Sequence, residues 1–474
     1  MKANKVLLLL GVVIATGITS CKVPSLTTRE TLPLTPAAYT ATSDSSNDGY
    51  IKWKEYFKDA NLIALIDSAL LNNQELNIVA QEIQARKNEI QARKGEYLPF
   101  LNLSGAGGLD KMGRYTWDGL AEEDLKANPG AAPKHIGDFM LGAYASWELD
   151  VWKKLRTAKK AASLNYLSSI EGRNFLVTTV VAEITNSYYE LLALDNLLRI
   201  IQQSIEIQQN ALAVVKLEKE AAKETQLAVN RFEAQLLHTK NLRYDVQQRI
   251  IETENRINYL VGRYPQPIKR NADQFNSLSI DLVKPGIPSQ LLSNRPDIRQ
   301  AEYDVAAAKL DIKVAKANFY PSIRLTAGLG FNSFNPGYLI SPESVLYNLA
   351  GDLVTPLVNR NAIKATYANA GLKQVSAAYN YERSILNAYI EVVNQLNALD
   401  NFQKSYATKS TEAEILTQSI DISNSLFRSA RADYLEVLLT QREALESKME
   451  LVEIKLKQLS AKVNIYRSLG GGWN

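Results

Sequence analysis

The sequence predicts a mainly helical fold with a small β part. Long coiled-coil helices make up most of the chain, four strands per chain combine from three copies into a twelve-stranded transmembrane β-barrel, and the whole is internally duplicated. Three observations predict this. Proline disappears from two very long tracts, apolar residues inside those tracts recur at helical spacing, and four short segments between them alternate apolar and polar residues.

The N-terminus reads as an export signal. Lys2 and Lys5 precede the apolar run Val6 to Ile14, and small residues follow up to Cys21. That is the basic, apolar and small-residue order of a secretory leader, and the run is shorter than the ~20 residues a spanning helix needs. Ile18-Thr19-Ser20-Cys21 has the form of a bacterial lipobox, and Cys21 is the one cysteine of the chain. Residues 1–20 are therefore expected to be a lipoprotein signal peptide, with a lipid on Cys21. Lys22 is not the aspartate that retains bacterial lipoproteins in the inner membrane, which favours the outer one. Residues 21–60 are expected to form a lipidated tether and a first equatorial segment, extended over the Ser-, Thr-, Pro- and Asp-rich stretch to Gly49.

No proline occurs between Pro133 and Pro265 or after Pro356. Both tracts are rich in Ala, Leu, Gln, Glu and Lys, which favours helices far longer than the usual ~11–12 residues. In the first tract a strict 3–4 spacing from Val177 to Val215 meets apolar residues at ten of twelve positions, broken by Ser187 and Gln208. In the second, the spacing from Leu435 to Tyr466 is broken only by Arg442. A sustained seven-residue repeat means coiled-coil packing along the length of each helix. A helix from Val151 to about Ala221 would be on the order of 100 Å long. A soluble structural coiled coil is the alternative at this point.

The strand-like segments are Leu101–Leu109, Phe139–Trp147, Ile323–Phe331 and Leu346–Pro356. In each, the apolar residues keep one parity, and about nine to eleven residues suffice to cross a membrane at a tilt. Tyr97, Phe100, Trp147, Phe319, Tyr320 and Phe331 near their ends read as interfacial aromatics. Four strands do not close a barrel and open edges are not viable in lipid, so copies must combine, three of them supplying twelve strands. A soluble pair of hairpins packed on the helices is the competing reading. Gly105, Gly107, Gly108, Gly328 and Gly330 match neither a dinucleotide nor a phosphate-loop pattern and suit strand curvature instead.

The two halves repeat. An offset of 222 aligns Leu70–Leu76 with Leu292–Ile298, Pro99 with Pro321 and Gly108 with Gly330. An offset of 208 aligns Leu227 with Leu435, Val229 with Val437 and Gly262 with Gly470. The expected organisation is a first repeat over 61–262 (strand hairpin 100–147, long helices 151–262) and a linker over 263–290. A second repeat over 291–474 follows, with strand hairpin 321–356 and long helices 361–467.

Composition excludes much else. The 474 residues are 46% hydrophobic and 22% charged, with 54 Lys plus Arg against 50 Asp plus Glu and a formal charge of +4. These interspersed charges offer no basic face to nucleic acid. With one cysteine and two separated histidines, His135 and His238, no disulfide, zinc site or catalytic triad is expected. Glu148 and Asp150 are the nearest to acid–base candidates, and neither has a partner in a catalytic pattern. No enzyme activity, metal or cofactor is expected beyond the lipid on Cys21.

Five stretches taken together resemble the TolC-type outer membrane factors, and the lipoprotein branch typified by OprM and NodT in particular. They are WKEYFKDANLIALIDSALLNNQEL (53–76), SWELDVWKKLR (146–156), LLSNRPDIRQAE (291–302), ARADYLEVLLTQR (430–442) and LGGGW (469–473). The resemblance implies a homotrimer in outer membrane lipid whose long helices form a trimeric α-barrel across the periplasm, with an equatorial belt that takes in residues 21–60, 263–290 and the C-terminal segment. It implies a passive exit duct for efflux or secretion, with a periplasmic membrane-fusion adaptor and a proton-driven inner-membrane pump as partners. The helix-hairpin tips that dock the adaptor would lie near Ala222 and Ala430, where relatives usually carry glycine. The periplasmic aperture would be lined by Leu435, Glu436, Leu439 and Arg442, with Leu439 at a frequently acidic position, so that Glu436 supplies the carboxylate ring. A periplasmic adaptor or a structural coiled-coil lipoprotein of the same machinery is the alternative.

Overall fold

The computed structural model describes residues 23–31, 35–39, 45–111, 113, 115–117, 135–278, 283–356, 358–429 and 431–473. The signal segment, Cys21 and Ala430 lie outside them. The principal helices are α1 (Ala60–Asn72), α2 (Gln74–Glu96), α3 (Lys154–Glu220), α4 (Gln226–Val261), α5 (Pro296–Ala317), α6 (Asn361–Arg428) and α7 (Tyr434–Ser468). The strands are β1 (Phe100–Asp110), β2 (Ile136–Leu149), β3 (Ser322–Ser333) and β4 (Val345–Val354). No helix among the described residues is long and apolar enough to cross a membrane.

The duplication read from the sequence reappears in the element boundaries. Shifting α2 by 222 reproduces α5, and shifting α4 by 208 reproduces α7, each to within one residue. Pro296 opens α5 with Asp297 in its first turn, where the missing N–H costs nothing and a carboxylate meets the positive end of the helix. The fourth strand ends at Val354, short of the expected Pro356, whose nitrogen has no hydrogen to donate to a ladder.

In space the chain divides differently from its repeats. One compact unit takes Gln84–Leu167, Tyr303–Tyr379 and the described residues before Thr31, and the other takes Thr31–Ile83, Ser168–Glu302 and Asn380–Asn474. Each unit therefore draws on both repeats. In the first unit this follows from the sheet, whose order β1-β2-β3-β4 pairs strands of both halves.

The first unit also holds the N-terminal segment, which is seated rather than free. Val23 and Leu26 pack on a cluster of Ala315, Phe319, Tyr367 and Ala370. The Gln374 amide accepts from the Arg29 backbone N–H at 3.0 Å and donates to the Arg29 carbonyl at 2.7 Å. Phe319, expected among the interfacial aromatics, is instead 1% exposed and meets Tyr367 edge-on at 5.5 Å. It belongs to this core.

In the second unit one continuous core joins α1 to the seams of α3, α4 and α7. Asp59 caps α1, its carboxylate accepting from the N–H groups of Asn61 (2.8 Å) and Leu62 (3.3 Å). The 3–4 positions predicted from Val177 to Val215 are buried, apart from half-buried Leu198, and they include the polar Ser187 and Gln208. Along α7 the predicted seam is buried or half-buried from Leu445 onward, whereas Leu435 and Arg442 near its start are exposed.

Candidate functional site: a two-faced sheet and two helix-hairpin tips

In an antiparallel sheet, residues directly opposite one another point to the same face. Register therefore decides what each face carries. Leu101 opposes Ala145, Ala145 opposes Ala327, and Ala327 opposes Leu349. The next such row is Leu103, Ala143, Leu329 and Tyr347, and Leu149, Ile323 and Leu353 form another. All are odd-numbered, so the parity seen separately in each segment adds up to one apolar face across all four strands. Even-numbered rows build the other face: Asn102, Tyr144, Gly328 and Asn348; Ser146, Thr326 and Ala350; Glu148, Arg324 and Asp352. One face is apolar and the other carries the polar and charged residues, with Phe100, Met140 and Leu346 also among its positions. Most of the side chains on the apolar face lie open, Leu103 at 81% and Leu349 at 79%.

β1 is exposed along its whole length and β4 along nearly all of it. Each pairs on one side only, so the sheet ends in two open rows of backbone donors and acceptors.

Aromatic side chains gather at one end of these strands. Trp147 donates its indole N–H to the Tyr97 carbonyl at 3.0 Å. Trp152, which the sequence reading passed over, donates to the Pro321 carbonyl at 2.7 Å and stacks on Tyr320 with ring centres 4.8 Å apart. An amphipathic indole immediately after a strand end was the available signal. Glu148 and Asp150, the two acid–base candidates, have structural work here. Lys154 holds Glu148 at 2.6 Å, and the Asp150 carboxylate accepts from the N–H groups of Leu155 and Arg156, both at 2.9 Å, capping α3.

In the second unit, α3 turns into α4 at Ala222. The Ala222 N–H donates to Lys219 (3.0 Å) and that of Lys223 to Glu218 (2.9 Å), the bond pair of a Schellman cap. Its middle residue must be left-handed, and Ala222 has φ 53°. Thr225 then caps α4 by accepting from Ala228 N–H at 3.2 Å. The second tip repeats the first at the 208 offset, Arg431 N–H donating to Leu426 at 2.9 Å. Ala430, at its centre, is outside the described residues.

Leu435, Glu436, Leu439 and Arg442 follow the second tip within the first three turns of α7. All four are exposed, while Val437, Leu438 and Gln441 between them are buried. They thus form one open stripe on one face of the helix. Arg442 reaches Glu446 at 3.8 Å, one turn on. No group of side chains suited to a metal ion occurs among the described residues.

The outer membrane efflux protein family matches residues 65–263 and 287–471. The pyoverdine export outer membrane protein OpmQ of Pseudomonas aeruginosa is 27% identical over 435 residues, covering 92% of this chain and 90% of OpmQ. The cation efflux system protein CusC of Escherichia coli is 25% identical over 472 residues, covering 98% of this chain and 99% of CusC. The open state of the Neisseria gonorrhoeae MtrE outer membrane channel shares the fold, with a TM-score of 0.79 at 21% identity over 95% of this chain and 96% of that one.

Proposed function

The chain belongs to the outer membrane efflux protein family, and on that footing we propose that it is the exit duct of a tripartite efflux or secretion system. It resides in the outer membrane with its long helices in the periplasm, as a passive conduit opened from its periplasmic end. The adaptor reading has no support in the family match.

The observation that carries this reading is the sheet with one apolar face, one polar face and two open edges. The apolar face suits lipid and the polar face suits a water-filled lumen. Unpaired backbone groups in hydrocarbon cost several kcal/mol each, so β1 and β4 need partners, and further copies of the chain supply them. Two copies would make eight strands, whose interior side chains fill the bore. Three copies make twelve strands and leave a duct, which supports a homotrimer.

Cys21 carries the lipid that ties the N-terminus to the outer membrane. The tips at Ala222 and Ala430 dock a periplasmic membrane-fusion adaptor, which links the duct to a proton-driven inner-membrane pump. Leu435, Glu436, Leu439 and Arg442 line the periplasmic aperture, where three copies of Glu436 set a ring of charge beside leucines. One relative is named for cation efflux and another for pyoverdine export. Cargo choice therefore belongs to the pump rather than to the duct.

Deletion of the gene tests the role. It should sensitise cells to apolar toxic compounds or block release of a secreted product, with recovery on re-expression. Normal resistance and normal release, where wild-type cells demonstrably make the protein, would contradict it.

A further inference from the structure

A cleft of about 220 Å³ opens among four helices of the second unit. Val214 and Val215 of α3, Phe232 of α4, Phe427 of α6, and Val437 and Gln441 of α7 line it. Asp421 and Arg428, both exposed, also line it. Gln441 is 3% exposed, yet neither its Oε1 nor its Nε2 has a hydrogen-bond partner among the described residues. A buried primary amide with both atoms idle is costly, and a leucine of similar volume would avoid that cost at the same position. Neighbouring α7 positions do use leucine, at Leu438 and Leu445.

We propose that this cleft is a binding site for a small planar molecule bearing a carboxamide or lactam edge. Such an edge presents one donor beside one acceptor and so completes both atoms of the Gln441 amide. The attached ring lies against Phe232, Phe427 and Val437, where aromatic and branched side chains cover its faces. The volume exceeds the ~150 Å³ of a dry cavity that accepts benzene, leaving room for the ring and its amide together. This site is separate from the export reading, and its test does not read transport.

The test is saturation-transfer NMR with benzamide on the purified full chain in detergent, with ethylbenzene as the probe lacking an amide. Benzamide should bind saturably to the wild type. It should bind at least about tenfold more weakly to Gln441→Leu, while the two proteins take up ethylbenzene alike. Gln441→Glu keeps the side-chain shape and removes the N–H donor, so it should lose benzamide too and serves if the leucine variant misfolds. No saturable benzamide binding to the wild type, or equal binding to the variants, would overturn the proposal and leave the cleft to water.

Discussion

Asn73 and Arg295 occupy equivalent positions in the two repeats and make the same contact with different chemistry. Asn73 donates to the Leu260 carbonyl at 2.8 Å, and Arg295 donates to the carbonyl of Ser468, the counterpart of Leu260, at 2.9 Å. Each bond ties the start of one helix to the end of another. The contact recurs because a glycine sits just beyond each of those helix ends: Gly262 and Gly470 have φ 77° and 87° and lie against the carbonyls of Asn72 and Asn294. The repeats differ in charge. Arg295 is nearly buried and also binds Asp297 at 2.7 Å and Glu391 at 2.8 Å. Burial opposes its charge, but these two carboxylates outweigh the penalty and raise its pKa above the ordinary arginine value.

The left-handed positions give a first pair of predictions. Ala222→Gly should stabilise the chain by about 0.5–1 kcal/mol, since alanine resists the φ that glycine adopts freely. Gly262→Ala should destabilise it, because the new methyl group would overlap the Asn72 carbonyl. Urea unfolding of both variants measures the two signs.

The register of β1 separates adjacent residues by function. Leu103→Arg places a charge on the lipid-facing side, which costs about 2–4 kcal/mol at mid-membrane, and should deplete the protein from the outer membrane fraction. Ser104→Arg, one residue on, faces the lumen and should insert normally. Immunoblots of fractionated membranes decide this.

At the aperture, replacing Glu436 and Arg442 together with alanine should raise single-channel conductance in planar bilayers. It removes two long side chains from the exposed stripe of α7, together with the Arg442–Glu446 pair. Unchanged conductance would place the constriction elsewhere.

Alkaline pH should weaken the core around Tyr466. Its hydroxyl donates to the Ile51 carbonyl at 2.6 Å, and burial holds its pKa above the ordinary value near 10. The folded state therefore keeps a proton that the unfolded state releases, so this stability is present below pH ~10 and is lost as pH rises beyond it. Tyr466→Phe should cost about 1 kcal/mol at neutral pH, and the gap to wild type should shrink above pH ~10. Chemical unfolding at several pH values follows the difference.

Much of this was legible in the sequence because two periodicities were uninterrupted. The 3–4 spacing from Val177 and the parity of Leu101, Leu103 and Leu109 each count positions on one face, and burial and register bear them out. What escaped was whatever depends on which particular partner a side chain meets, near in the chain or far. Phe319 lies two residues before the proline that precedes β3, as an interfacial aromatic would, but Tyr367 lies far along the chain and places it in a core. Glu148 and Asp150 carried carboxylates that only the local fold turns to an ion pair and a helix cap. The idle amide of Gln441 has no signature in the sequence, where it reads as one more polar residue on a long helix.

Further copies of the chain are expected to close the open edges at β1 and β4. The most direct test is the mass of the detergent-purified complex by native mass spectrometry, paired with conductance in a planar bilayer. Three chains per particle and a steady ionic current are expected. A particle of one chain that carries no current would contradict that closure.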